Sequence, residues 1–188
     1  GTPAAIGYSE QSNIQFDMGI IRNNYVWRTF IEPTQQIRQL GVKLKHNPNR
    51  ALIKNKRIIL VDDSIVRGTT SKKIVSMLYE VGAKEVHMKI SSPPIKFPDY
   101  YGIDTPNVSE LLAANNSIEE MRKIIGVKTL SFLSIDGVYK ALGHEKRDNK
   151  NPQFTDHCFT GDYPVIPQDF KNQTEKNNQL SLLSNFTG

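Results

Sequence analysis

Hydrophobic positions along this chain follow two rhythms. Residues 57–61 (RIILV) form a short continuous apolar run, the pattern of a strand buried on both faces. Residues 16–21, 85–90 and 129–133 are apolar or β-branched enough to read as further strands. Between the last three strands the period lengthens. Residues 71–81 place Ile74, Val75, Leu78 and Val81 on one helical face and stop at Gly82. Ser117 and Glu120 have capping-box spacing ahead of Met121, Ile124 and Ile125, and Gly126 ends that run. At the start of the chain, Thr2 as N-cap with Pro3 in the first turn predicts a helix entrance. Alternation of this kind predicts an α/β domain with a largely parallel sheet flanked by helices. No internal repeat is present.

Composition narrows the classes. Of 188 residues, 38% are hydrophobic and 23% charged, enough for a real core in one domain, while the mean hydropathy of -0.45 points to a polar stretch. Residues 168–188, rich in Asn, Gln, Lys and Ser with one apolar patch at Leu180, Leu182 and Leu183, supply it and read as a disordered tail. A net charge of +5 suits an anionic small-molecule substrate, and the scattered basic residues lack the aromatic-interleaved cluster of a nucleic-acid binder. The lone Cys158 precludes a disulfide within the chain and fits a reducing compartment. No apolar run is long enough to span a bilayer, which predicts a cytoplasmic protein without a membrane partner.

The densest chemistry lies in residues 57–70, RIILVDDSIVRGTT, followed by a helical SKKIV. An apolar strand ends, two carboxylates follow, and Gly68, Thr69 and Thr70 lead into a helix. Free amides at a helix start, a Gly that lets the backbone approach closely, and two hydroxyls together suit a phosphate monoester. Asp62 and Asp63 then face the remainder of the ligand, where acceptor-only carboxylates suit sugar hydroxyls or a hard cation such as Mg²⁺. Taken alone, an Asp-Asp pair after a strand is also an ordinary turn ahead of a helix. The spacing of a Walker A loop is absent.

This unit resembles the phosphate-loop motif of type I phosphoribosyltransferases, which bind phosphoribosyl pyrophosphate (PRPP). The resemblance extends over residues 1–8 (GTPAAIGY), 21–33 (IRNNYVWRTFIEP), 42–50 (VKLKHNPNR), the DDSIVRGTTSKKIV block, and the late FLSIDGVYKALG and FTGDYP blocks. In that order these blocks are similar to the amidophosphoribosyltransferase family, which makes 5-phosphoribosylamine from PRPP and glutamine-derived ammonia at the opening of purine synthesis. The resemblance implies a type I phosphoribosyltransferase fold, truncated at its N-terminus. It implies a partial phosphoribosyltransferase domain over 1–142, an extension over 143–167 and the tail beyond.

The same resemblance implies that Asp62 and Asp63 hold ribose hydroxyls and Mg²⁺, and that Ser64, Arg67, Gly68, Thr69 and Thr70 surround the 5′-phosphate. Arg22, Tyr25 and Arg28 fall in the loop that closes over pyrophosphate; on residue type alone the arginines are also readable as a solvated basic loop. Trp27 stands where family members usually carry Gly before the loop arginine, which predicts altered loop closure. Asp99 and Thr155 stand where some members carry cysteines for an iron-sulfur cluster, so no cluster is expected, and His157 beside Cys158 reads as structural. A glutaminase partner, in cis or in trans, and a homo-oligomer are implied for the full-length enzyme. The competing expectations are a salvage phosphoribosyltransferase acting on a nucleobase, a PRPP-binding regulatory domain without turnover, and an inactive remnant.

Overall fold

The structure, a computed structural model, describes residues 1–22, 46–102, 105 and 107–165. Helix α1 (Thr2–Ser12) opens the chain, with Gly1 rather than Thr2 at its N-cap and no side-chain cap bond. A Cβ on Gly1 would stand 3.0 Å from the Val61 carbonyl oxygen, so the helix entrance presses on the backbone one residue before Asp62. Strand β1 (Ile20–Arg22) pairs antiparallel with β2 (His46–Pro48), Ile21 opposite Asn47. The strand expected over 16–21 is thus shorter and starts later. The Gly19 N–H donates to the Asp17 carbonyl at 2.9 Å, a local turn that overrides the apolar pattern.

After a single helical turn, α2 (Arg50–Ile53), come β3 (Arg57–Asp62), α3 (Thr69–Glu80) and β4 (Glu85–Ile90). A 3₁₀ turn (Val108–Glu110), the short α4 (Leu112–Asn115), α5 (Ile118–Ile125), β5 (Thr129–Phe132), α6 (Ile135–Ala141) and α7 (His157–Thr160) complete the order. Strands β3, β4 and β5 form a parallel sheet in that spatial order, with Leu60 beside Met88 and Met88 beside Leu130. Among the described residues β3 is therefore an edge strand paired only with β4. Its Ile58 to Asp62 side chains are half-buried, not enclosed on both faces as the apolar run predicts.

The core lies between this sheet and α3 and α5. Val86 and Met88 from β4, Val75 and Leu78 from α3, and Met121 and Ile125 from α5 are all within 2% of full burial. Helix α3 starts two residues earlier than its apolar period suggests because Gly68 caps it; Val81 becomes the C-cap, and Gly82, at φ +99°, turns the chain. The α5 capping box forms in full, Ser117 Oγ accepting from Glu120 N–H while the Glu120 carboxylate accepts from Ser117 N–H. The opposite face of β4 is polar. There His87 meets Thr129 at 2.9 Å and Lys89 donates to Ser131 at 2.9 Å. No helix among the described residues is long and apolar enough to cross a membrane.

Candidate functional site

The parallel sheet delivers its chemistry at the carboxyl edge of β3, where ligands gather in folds of this type. Asp62 is the last residue of the strand, and its carbonyl accepts the Ser91 N–H at 3.0 Å, locking the ends of β3 and β4 together. The Asp62 carboxylate accepts the Asp63 N–H at 3.0 Å, and the Asp63 carboxylate accepts the Ser64 N–H at 2.8 Å. These short-range bonds fold the chain sharply after the strand. Among the described residues, neither carboxylate pairs with a lysine or arginine side chain. Burial pushes the Asp62 carboxyl above its ordinary 3.8, and the neighbouring Asp63 charge pushes the same way, against the opposing pull of the Asp63 N–H.

Beyond the pair, Ile65 inserts into the core at 2% exposure and anchors the loop. Gly68 is buried and left-handed, with φ 74° and ψ -7°, and caps α3. A Cβ there would stand 2.5 Å from Leu112 Cδ2, so both backbone angle and space demand glycine. The Lys72 N–H returns to the Gly68 carbonyl at 2.9 Å, which leaves the amides of Thr69, Thr70 and Ser71 without intrahelical acceptors at the helix start. Thr69 is exposed and Thr70 half-buried. A left-handed cap, three outward amides and hydroxyl side chains can receive an anion, and a hard cation fits the Asp62–Asp63 carboxylates.

The structure thus brings Asp62, Asp63, Ser64, Arg67, Gly68, Thr69 and Thr70 into one strand–loop–helix unit. Arg22 ends β1, while Tyr25, Trp27 and Arg28 lie outside the described residues. Two features escaped the sequence reading. Gly1 abuts the end of β3, and residues 110–112 brace the loop from far along the chain: Glu110 accepts from Arg67 Nε at 2.7 Å, and the Leu112 N–H donates to the Val66 carbonyl at 2.8 Å. A close approach of Gly leaves a trace in sequence only as the glycine itself, and a contact across 43 residues leaves none.

A second cluster of ionisable groups lies in the C-terminal segments. Arg147, 8% exposed, donates from Nε to Asp156 Oδ2 at 2.6 Å and from Nη2 to both Asp156 Oδ1 and Asp162. Tyr139 and Thr160 hydroxyls donate to the same Asp156 carboxylate at 2.8 and 2.9 Å. Burial pushes Asp156 up, but these hydrogen bonds, Arg147 first, outweigh it and hold the carboxyl below 3.8. Nearby, His157 Nε2 lies 2.7 Å from Asp99 Oδ2, with Cys158 Sγ 4.0 Å from the same oxygen. This trio offers three unlike donors, and burial together with the Asp99 charge raises the Cys158 thiol.

No family model matches the chain. Among curated proteins, the amidophosphoribosyltransferase of Rhizobium etli is 60% identical over 185 residues, which are 98% of this chain and 37% of that protein. That of Bacillus subtilis is 53% identical over 162 residues, 86% of this chain and 34% of the relative. The chain thus spans about a third of the length of these relatives. Among solved structures, the glutamine PRPP amidotransferase of B. subtilis complexed with ADP and GMP superposes with a TM-score of 0.76 at 53% identity, covering 88% of this chain and 36% of that one.

Proposed function

Since the chain is homologous to a segment of the amidophosphoribosyltransferases about a third of their length, we propose that it is the part that transfers the phosphoribosyl group. In this reading it joins ammonia, released from glutamine by a glutaminase domain or partner, to C1 of PRPP with loss of pyrophosphate, as a cytoplasmic enzyme that is oligomeric when complete. The observation that carries the reading is the edge of β3, where two carboxylates that pair with no lysine or arginine side chain among the described residues precede a left-handed glycine cap and an open helix start.

Each residue then has a task. The open amides of Thr69, Thr70 and Ser71 behind the Gly68 cap, with the Ser64, Thr69 and Thr70 hydroxyls and Arg67, hold the 5′-phosphate. Asp62 and Asp63 accept from the ribose 2′- and 3′-hydroxyls and are the residues that would hold Mg²⁺. Bound there, the ion would neutralise charge on the departing pyrophosphate. Arg22, Tyr25 and Arg28 meet that leaving group from the loop side. Breaking the C1–O bond builds positive charge on the sugar and negative charge on pyrophosphate, so guanidinium groups already in place lower the barrier. Ammonia needs no activation by a strong base, which puts the weight on positioning and on keeping water out.

Trp27 favours a second reading, PRPP binding without turnover, because an indole in place of a hinge glycine restricts the closing loop. Pyrophosphate release separates the readings. The transferase reading expects release from Mg-PRPP that depends on ammonia and ignores free purine and pyrimidine bases. Base-dependent release would instead indicate a salvage enzyme. Release in neither case, with a Trp27 fluorescence change on adding Mg-PRPP, would favour the regulatory reading.

A further inference from the structure

We infer that Glu110 is a positioning residue for the phosphate loop, holding Arg67 by its Nε so that the two Nη groups are left for an anion; this rests on the reading of residues 62–70 as the PRPP site. Three separate contacts join the loop to residues 110–112. Glu110 Oε2 accepts from Arg67 Nε at 2.7 Å, the Val66 carbonyl accepts from the Leu112 N–H at 2.8 Å, and the Leu112 side chain closes over Gly68. The brace is itself stiff. Asn115 Nδ2 donates to the Val108 and Leu111 carbonyls at 2.7 and 2.8 Å, and Leu111 is fully buried.

Folding gains little from the Arg67–Glu110 pair. Its side chains are 50% and 47% exposed, and exposed pairs are screened and cost side-chain entropy. What the pair does achieve is to order a long, rotamer-rich arginine before any ligand arrives, so that this ordering no longer opposes binding. The neighbouring contacts make the position reproducible: the backbone on either side of Arg67 is fixed by Ile65 in the core and by Gly68 against Leu112.

The test is calorimetric titration of Mg-PRPP into the full 188-residue chain and its variants. Glu110→Ala is expected to weaken binding about 3- to 10-fold, the scale of one immobilised side chain, with an unchanged urea midpoint. Glu110→Gln keeps an acceptor oxygen for Nε and should restore most of the affinity. In an Arg67→Ala background, Glu110→Ala should have no further effect. Without ligand, the Arg67 Nε–H resonance should exchange slowly with water in wild type and Glu110→Gln, and rapidly in Glu110→Ala. Equal affinity of wild type and Glu110→Ala, or tighter binding by Glu110→Ala as expected if its carboxylate merely repels phosphate, would overturn the inference while leaving the PRPP site in place. A wild-type chain that binds no Mg-PRPP would instead remove the site reading, and the inference with it.

Discussion

Two groups of carboxylates in this molecule have opposite fates. Around Arg147, the Asp156 carboxylate receives hydrogen bonds from a guanidinium and two hydroxyls, and its pKa falls. At the end of β3, Asp62 and Asp63 receive only the next backbone amides, no cationic side chain pairs with them among the described residues, and the Asp62 pKa rises. The same residue type is self-sufficient in one place and incomplete in the other. Neutralised carboxylates have no use for a ligand, whereas a partly buried carboxylate such as Asp62, beside the exposed Asp63, costs the fold stability that a cation and a polyol can restore.

The largest effect expected from this contrast is at Arg147. Arg147→Met leaves Asp156 buried without its partner and should destabilise the protein by about 3 kcal/mol, while Arg147→Met with Asp156→Leu should recover much of the loss. Urea denaturation measures both. Similar losses for single and double variants would mean that the knot is not a neutralised pair. Next is Gly68→Ala, expected to cost about 1–3 kcal/mol from its left-handed backbone and the Leu112 contact. Leu112→Ala should return the steric part only, so a variant as stable as wild type would show that the loop is not held as described. Ser117→Ala, a cap remote from both carboxylate groups, should cost about 1 kcal/mol and leave Mg-PRPP affinity untouched.

The pH dependence sharpens the contrast because its signs differ. Asp62 has a raised folded pKa, so as pH climbs from about 3.8 the unfolded chain ionises first, stability falls until Asp62 itself ionises, and the deficit then persists. Asp156 has a lowered folded pKa, so its contribution is complete above 3.8 and is lost as pH falls through the folded value. Asp62→Asn should therefore remove the decline above pH 3.8 and make the ligand-free protein more stable at neutral pH. A decline identical in wild type and Asp62→Asn would mean that Asp62 is not the strained group.

Local signals were the legible ones. The apolar run of β3, the strand composition of residues 85–90, and the Ser117–Glu120 box each depend on neighbours within a few residues, and they appear in the structure close to where the pattern puts them. Gly68 was legible as a helix-start glycine for the same reason, since a left-handed cap leaves a glycine behind. What pattern could not convey was tertiary. The edge position of β3 among the described strands depends on which strands pair, the start of β1 was decided by an Asp17–Gly19 turn, and the Arg147 and Glu110 contacts join residues separated by loops. The resemblance at Tyr25, Trp27 and Arg28 falls outside the described residues.

The central claim is that the incomplete carboxylates at β3 belong to a PRPP site, and calorimetric titration of Mg-PRPP into wild type and Asp63→Asn tests it most directly. The account predicts saturable, Mg²⁺-dependent binding by wild type and a loss of about 1–3 kcal/mol in Asp63→Asn, as for a charge-assisted contact. Equal affinity of the two proteins for Mg-PRPP would contradict it.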